Sequence, residues 1–260
     1  MLSCNRMPYV RAAGSSLAYE WIGQGANGKA ALVFLHEGLG SIRQWRDFPA
    51  KLAAATGCRA LVYDRYGYGQ SDVLGEKRRT VQFMHDEALD ALPALLSELQ
   101  VNNPILVGHS DGASIALIHA GAGHAVRGVV AMAPHVFIEP ICLGSIEKAR
   151  TNFETTGLAD KLGHYHRDAR KTFYGWADVW LDPQFKGWDI RADYLPGVRG
   201  PVLAIQGHDD EYGTMAQLDE IQRCVGGPCE LLKLERCGHA PFRDQPEIVT
   251  ARVASFVSNL

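Results

Sequence analysis

The pentapeptide Gly-His-Ser-Asp-Gly at residues 108–112 constrains the fold more than any other part of the chain. It follows an apolar run at residues 104–107 and precedes a helix-like segment of small and apolar residues at 113–118. The pattern G-x-S-x-G between a strand and a helix places the serine, Ser110, on a strained turn that lifts its hydroxyl out of the sheet. We expect glycine at both ends because a β-carbon would crowd the neighbouring strand and helix. The helix would point its N-terminal N–H groups at Ser110, where they can stabilise negative charge.

Such a pentapeptide also occurs by chance in a glycine-rich chain, so its meaning depends on partners that a serine nucleophile needs. The hydroxyl requires a base that takes its proton and an acid that orients the base. Two loops that follow apolar runs supply candidates: residues 207–214 contain three adjacent acids, and residues 237–242 contain His239. We expect both loops at the carboxyl edge of the sheet, where Ser110 also lies and where ligands bind in open α/β folds.

Strands and helices alternate in the pattern of the remaining chain. Apolar runs typical of strands buried on both faces occur at residues 30–35, 58–63, 126–133, 201–206 and 230–234. Helices are predicted over 42–55, 80–99 and 214–225, with a last one carrying Val249, Val253, Phe256 and Leu260 on one face. Residues 8–22 predict a β-hairpin, and Pro93 is expected to kink the helix at 80–99. The sequence therefore predicts an α/β fold whose mostly parallel sheet is flanked by helices.

Residues 135–196 differ in character from the rest of the chain. They hold 10 of the 23 aromatic residues and show no strand-like alternation. We interpret them as a helical cap inserted into a core formed by residues 1–134 and 197–260, and expect the cap to roof the substrate pocket. Three tryptophans could line this pocket or form the cap's own core: Trp176, Trp180 and Trp188. Three histidines are expected at the surface or lining the pocket rather than in catalysis: His135, His164 and His166.

Taken together, these motifs resemble the α/β-hydrolase fold superfamily of serine hydrolases with a cap, over nearly the whole chain. Residues 108–112 match its nucleophile elbow, and residues 64–72 resemble its D-x-x-G-x-G-x-S turn. The spacing Gly207-x-x-Asp210 and the dipeptide Gly238-His239 resemble its acid and histidine loops. The resemblance implies the nucleophile Ser110, the base His239 and the orienting acid Asp210. It favours Asp210 over three other acids that remain alternatives or plain surface charges: Asp209, Glu211 and Glu139.

Residues 36–40, His-Glu-Gly-Leu-Gly, resemble the superfamily's His-Gly-x-x-Gly loop, which supplies one oxyanion donor. The loop departs from that pattern because Glu37 stands where glycine is usual. By alignment, the two oxyanion donors are expected to be the N–H groups of Gly38 and Asp111. The departure at Glu37 keeps open a catalytically silent binding protein that retains the fold. His109, beside the nucleophile, is expected to pack under the turn.

The resemblance implies a serine esterase, cleaving a small carboxylic ester or lactone through an acyl-enzyme. The same constellation also serves carbon–carbon bond hydrolases of diketone ring-fission products, acyltransferases and perhydrolases, so the fold does not choose among them. Serine at position 110 argues against dehalogenases and epoxide hydrolases of this fold, which use aspartate there.

Composition limits the partners. A formal net charge of -3 provides no basic field for nucleic acid. No segment reaches the roughly 18 uninterrupted apolar residues of a membrane span, and the first residues lack a signal-peptide core, so a cytoplasmic location without membrane attachment is expected.

We expect six reduced cysteines and no cofactor or metal, since Cys224, Cys229, Cys237 and His239 match no zinc spacing. The expected partner is a small-molecule substrate; the oligomeric state stays open.

Overall fold

Eight strands form one sheet in the computed structural model, which describes residues 7–26 and 28–260. The strands are β1 (Tyr9–Ala12), β2 (Ser15–Ile22), β3 (Leu32–Leu35), β4 (Ala60–Tyr63), β5 (Ile105–His109), β6 (Gly128–Met132), β7 (Val202–Gly207) and β8 (Cys229–Leu234). Their order in the sheet is β1-β2-β4-β3-β5-β6-β7-β8. β1 and β2 form the predicted hairpin, β2 pairs antiparallel with β4, and all further pairs are parallel.

Helices connect the parallel strands. They are α1 (Phe48–Thr56), α2 (Phe83–Asp86), α3 (Leu92–Glu98), α4 (Asp111–Gly121), α5 (Pro140–Thr155), α6 (Leu158–Gly163), α7 (Ala169–Trp180), α8 (Ala216–Cys224), α9 (Pro241–Asp244) and α10 (Pro246–Ser258). Every residue of β3, β4, β5, β6 and β7 is buried, as the continuous apolar runs predict for strands covered on both faces. Alternate residues of these strands belong to two separate apolar clusters, one on each face of the sheet. The predicted α/β fold is therefore confirmed.

Two predicted helices are divided in the structure. The segment at 42–55 consists of a short 3₁₀ turn, Ile42–Trp45, followed by α1. The segment at 80–99 begins only at Phe83 and contains a π-helical stretch, Glu87–Ala91, between α2 and α3. Pro93 has no N–H to donate, and its ring would clash with the carbonyl group one turn earlier in a regular α-helix. The π-helical stretch therefore lies just before the proline that was expected to kink this helix.

The chain between β6 and β7 forms α5, α6, α7 and two 3₁₀ turns, Pro183–Gly187 and Leu195–Gly197. This helical insertion spans the segment expected to be the cap; the division into a core and a cap domain stays a prediction. Across the described ranges, no helix is long and apolar enough to cross a membrane. Within the same ranges, no group of three or more His, Cys, Asp or Glu side chains is arranged to hold a metal ion.

Candidate active site

Ser110 occupies the sharp turn between β5 and α4. Its backbone angles, φ 52° and ψ -122°, are strained for a residue with a side chain, and its N–H donates to the carbonyl of Met132 at 2.9 Å. A β-carbon at Gly108 would overlap the first turn of α4, and one at Gly112 would overlap the carbonyl oxygen of Leu35 at the end of β3. Both glycines are therefore required by close backbone approach, as the sequence predicted.

A chain of two hydrogen bonds joins Ser110 to a buried carboxylate. The Nε2 atom of His239 lies 2.9 Å from Ser110 Oγ, and its Nδ1 atom lies 2.8 Å from Asp210 Oδ1. The N–H of Tyr212 also donates to Asp210 Oδ1, at 2.8 Å. These partners assign the hydrogen to Nδ1 of His239, which leaves Nε2 to accept the serine proton. The three residues that the sequence selected therefore lie in one hydrogen-bonded row.

The charges in this row favour a protonated His239. Burial lowers the pKa of His239, but the hydrogen bond and charge of Asp210 outweigh it, with Glu37 and Glu211 adding to the effect, so the net pKa is raised. Burial in turn raises the pKa of Asp210, and its bond to His239 reverses that shift, so the net pKa of the carboxyl is lowered. Asp210 is consequently ionised at neutral pH and can stabilise an imidazolium.

The backbone N–H groups of Gly38 and Asp111, the expected oxyanion donors, have no hydrogen-bond partner among the described residues. Gly38 and Asp111 both border the cavity beside Ser110. A β-carbon at Gly38 would overlap the indole of Trp176, which packs directly over this loop. Both residues that were expected to supply oxyanion donors thus border the cavity; their role stays a prediction.

Glu37, which also borders the cavity, binds the residue before Ser110. Its carboxylate Oε2 lies 2.5 Å from His109 Nδ1, and His109 Nε2 lies 2.6 Å from the backbone carbonyl of His239. Burial raises the pKa of Glu37, but the charge and hydrogen bond of His109 reverse the shift and bring the pKa to about 2. Both ring nitrogens of His109 therefore face oxygen acceptors, the Glu37 carboxylate and the His239 carbonyl. The Glu37–His109 pair therefore connects the loop at residues 36–40, which we call the oxyanion loop, to the loop of His239.

The oxyanion loop is also fixed from β4 and from the helical insertion. His36 Nδ1 bonds to the carbonyl of Glu37 at 2.8 Å, while its Nε2 accepts from the N–H of Arg65 at 3.1 Å. The guanidinium of Arg65 donates to the carbonyl of Glu37 at 2.9 Å. His166 accepts from the N–H of Gly69 at 2.9 Å and bonds to the carbonyl of Leu39 at 3.0 Å. His166 therefore holds two loops together and does not border the cavity.

The row of Ser110, His239 and Asp210 opens into a cavity of about 490 Å³. Residues of the helical insertion form much of its wall: Cys142, Ile146, Trp176 and Trp180. Trp188 is buried but does not border the cavity; it stacks on Phe185 at 5.6 Å between ring centroids. Two of the three tryptophans therefore line the cavity, and the third packs inside the insertion.

Other candidates named from the sequence have different places. Glu139 accepts hydrogen bonds from the N–H and hydroxyl of Thr214 and from Gln217, so it braces the start of α8 rather than His239. Asp209 and Glu211 are exposed. Sequence reasoning missed the bridge between Glu37 and His109, because two residues far apart in the chain form it. Their only advance signal was the unusual glutamate in the His-Gly-x-x-Gly pattern.

The fold and the row of Ser110, His239 and Asp210 define an α/β protein with the geometry of a serine nucleophile site. A model of the alpha/beta hydrolase family matches residues 32–252. The chain belongs to this family, which supports hydrolase activity. No curated protein sequence matched the chain.

Solved structures share the fold at low identity. The enol-lactonase from Burkholderia xenovorans is 20% identical with a TM-score of 0.74, covering 96% of this chain and 100% of its own. The meta-cleavage product hydrolase from Pseudomonas fluorescens is 18% identical with a TM-score of 0.71, covering 97% of each chain. A proline iminopeptidase from Mycobacterium smegmatis is 17% identical with a TM-score of 0.76, covering 98% of each chain. At such identities the likeness is one of fold, and the three names span different substrates.

Proposed function

We propose that the protein is a serine hydrolase that cleaves a small carboxylic ester or lactone through an acyl-enzyme. The observation that carries the proposal is the hydrogen-bonded row from Ser110 through His239 to Asp210, at 2.9 and 2.8 Å, beside two free N–H groups. Serine, base and acid stand within hydrogen-bond reach, which is the geometric requirement for an activated nucleophile.

In the acylation step, Ser110 Oγ attacks the ester carbonyl while His239 Nε2 takes the hydroxyl proton. The carbonyl oxygen becomes an oxyanion that accepts from the N–H groups of Gly38 and Asp111. Collapse breaks the bond to the leaving alkoxide, which receives the proton from His239. Water then repeats the sequence on the acyl-enzyme, and Asp210 stabilises the imidazolium each time.

The cavity supports a small substrate. Its volume of about 490 Å³ and a wall that combines apolar side chains such as Ile146 and Trp176 with polar ones suit a compact organic molecule. A carbon–carbon bond hydrolase remains the rival reaction, because the same row could act on a diketone.

A fluorophosphonate probe tests the nucleophile. We expect stoichiometric labelling of Ser110, no labelling of Ser110→Ala, and labelling slowed by at least about 100-fold in His239→Ala, since the residues act as a unit. Ser258→Ala is the control for the serine, because Ser258 lies at the end of α10, bonds only to the carbonyl of Ala254 and does not border the cavity; it should label like the native protein. Equal labelling of the native protein and Ser110→Ala would contradict the proposal.

A substrate panel tests the reaction class. Short-chain p-nitrophenyl esters, lactones and a vinylogous diketone are offered at equal concentration to native protein and to Ser110→Ala. We expect Ser110-dependent turnover of esters or lactones. Turnover of the diketone alone would replace the ester assignment by carbon–carbon hydrolysis, and a folded protein that neither labels nor turns over any member would be a binding protein.

A further inference from the structure

Two polar side chains at the cavity play no part in the catalytic steps. His135, just after β6, and Tyr212, in the loop of Asp210, both border the cavity. Their rings flank the base: His135 lies 6.0 Å and Tyr212 lies 4.6 Å from His239 between ring centroids. We call His135 and Tyr212 the polar pair.

The backbone of His135 is held firmly while its ring is left without a partner. Ser114 Oγ donates to the carbonyl of His135 at 2.6 Å and accepts from its N–H at 3.1 Å. The residue is 2% exposed, and Nδ1 of its ring is fully buried with no hydrogen-bond partner. Nε2 is not among the fully buried atoms and bonds to no described residue, so it is the ring nitrogen that a molecule in the cavity can reach. Leaving such a group unpaired costs on the order of 1–3 kcal/mol. An unpaired imidazole at the edge of a cavity therefore indicates that a bound molecule supplies its hydrogen-bond partner.

The ring of His135 is neutral. Burial and the nearby charge of His239 lower the pKa of His135 to about 3. A neutral imidazole offers one donor and one acceptor, which suits a hydroxyl or a carbonyl rather than an ion. The Tyr212 hydroxyl is likewise neutral, because burial raises its pKa, and it makes no hydrogen bond within the described part of the chain.

The charges around the cavity also limit which substrate group can bind beside the polar pair. The cavity wall carries the carboxyl groups of Glu37, Glu211 and Asp244 and one cation, Arg243, whose guanidinium lies 3.7 Å from the Glu37 carboxylate; this excess of acids disfavours a substrate carboxylate there. Trp180 packs edge-on against His135, with ring centroids 5.0 Å apart, and closes one side of the cavity. Burial raises the pKa of the Asp111 carboxyl, and the charges of Arg65 and Arg79 offset this rise only in part.

We propose that the polar pair binds a neutral oxygen substituent on the acyl group, so that the natural substrate is a hydroxy- or oxo-acyl ester or lactone. Both rings stand beside His239, so the substituent lies close to the scissile carbonyl. The inference rests on the proposed serine hydrolase function and names the substrate class of that same cavity.

Two esters of equal carbon count and leaving group test the inference: p-nitrophenyl butyrate and p-nitrophenyl 3-hydroxybutyrate, the latter as separate enantiomers. The readout is the ratio of kcat/KM for the hydroxy ester to that for butyrate. In the native protein, we expect this ratio to be about 10 for one of the two enantiomers. A tenfold difference corresponds to the free energy of one neutral hydrogen bond. An aminoacyl ester of similar size joins the series, since its preference would point to a cation site instead.

Variants then assign the preference to the polar pair. Tyr212→Phe removes only a hydroxyl and His135→Phe removes both ring nitrogens; each should bring the ratio toward one. His135→Gln, which keeps a donor and an acceptor, should restore part of the ratio. His124→Phe is the matched control, because His124 stacks on His119 outside the cavity and its loss should leave the ratio unchanged.

The outcomes separate this inference from the proposed function. A native ratio near one, with Ser110 still labelled by fluorophosphonate, overturns the inference and leaves the hydrolase standing. A high ratio that survives both phenylalanine variants overturns the assignment to the polar pair. Absence of both labelling and ester turnover removes the proposed function itself. Active-site titration with the probe corrects each variant for its folded fraction.

Discussion

At the scale of single residues, Glu37 shows how one departure from a motif changes the electrostatics of a site. Where the family pattern has glycine, the carboxylate of Glu37 pairs with His109, whose other nitrogen holds the carbonyl of His239. The same carboxylate contributes to the raised pKa of His239. Under the proposed function, Glu37 is therefore a positioning residue that acts on His239 through its contact with His109 and through its charge.

The effect of Glu37 on His239 leads to a prediction about how kcat/KM depends on pH. His239 must be neutral to take the serine proton, so kcat/KM should be high above the pKa of His239 and fall as the pH drops through it. Because that pKa is raised, half-maximal activity should lie above about 6.5, the ordinary value for histidine. Glu37→Gln should move the midpoint to lower pH and reduce the plateau by roughly tenfold, or about 1.4 kcal/mol.

The control for this prediction is Glu235→Gln, the same chemical change at an exposed carboxylate paired with His208. Its pH–rate profile should match that of the native protein. The groups whose charges act on His239 are Asp210, Glu37 and Glu211, and His135 and His109 also face it. A midpoint that is unmoved or raised in Glu37→Gln would show that the glutamate does not act on the base.

At the scale of elements, the turn from β5 to α4 depends on how closely α4 approaches β3. Gly112, in the first turn of α4, lies against the carbonyl of Leu35, and neither backbone can yield without moving a strand or the helix. Gly112→Ala should therefore lower stability by about 1–3 kcal/mol and slow fluorophosphonate labelling of Ser110, because the added methyl displaces the turn. Thermal denaturation and labelling rates measure the two effects.

Gly144→Ala provides a matched control. Gly144 is also a helical glycine, in α5, but a β-carbon there would meet nothing within 4 Å. Replacing it should stabilise the protein by up to about 1 kcal/mol through helix propensity and leave labelling unchanged. Equal stability and labelling in Gly112→Ala and the native protein would show that the turn tolerates a side chain.

Elements with strong local signals were predictable, and features formed by distant residues were not. The apolar runs fixed the buried strands because such runs are stable only between two layers. The motif at 64–72 was recognisable, but the structure shows its purpose: Asp64 accepts from the N–H groups of Ile42 and Gln70 at 2.7 and 2.8 Å and closes a loop. The π-helical stretch before Pro93 and the orientation of His135 arise from tertiary packing and leave no periodic signal.

At the scale of the whole molecule, the helical insertion and the sheet meet at the oxyanion loop. Trp176 of α7 packs over Gly38, and Trp180, one turn further along α7, closes another side of the cavity. The sheet supplies Ser110, His239 and Asp210, while the insertion limits the room beside them. Under the proposed function, the insertion sets the size of the substrate, and the loops at the carboxyl edge of the sheet carry out bond cleavage.

This division predicts that Trp176→Ala changes substrate preference more than it changes the nucleophile. Losing the indole should enlarge the cavity next to Gly38 and raise the ratio of kcat/KM for p-nitrophenyl octanoate to that for the acetate by roughly tenfold, within the range of small pocket changes.

Trp188→Ala is the matched control: Trp188 is 7% exposed against 6% for Trp176, but it lies outside the cavity. Its truncation should cost about 3–5 kcal/mol of stability without moving the ratio. If Trp176→Ala proves too unstable, Trp176→Leu keeps part of the apolar volume and serves the same comparison. A ratio that rises equally in the Trp176 and Trp188 variants would mean that general loosening of the insertion, and not the wall at Gly38, governs the size of the acyl group.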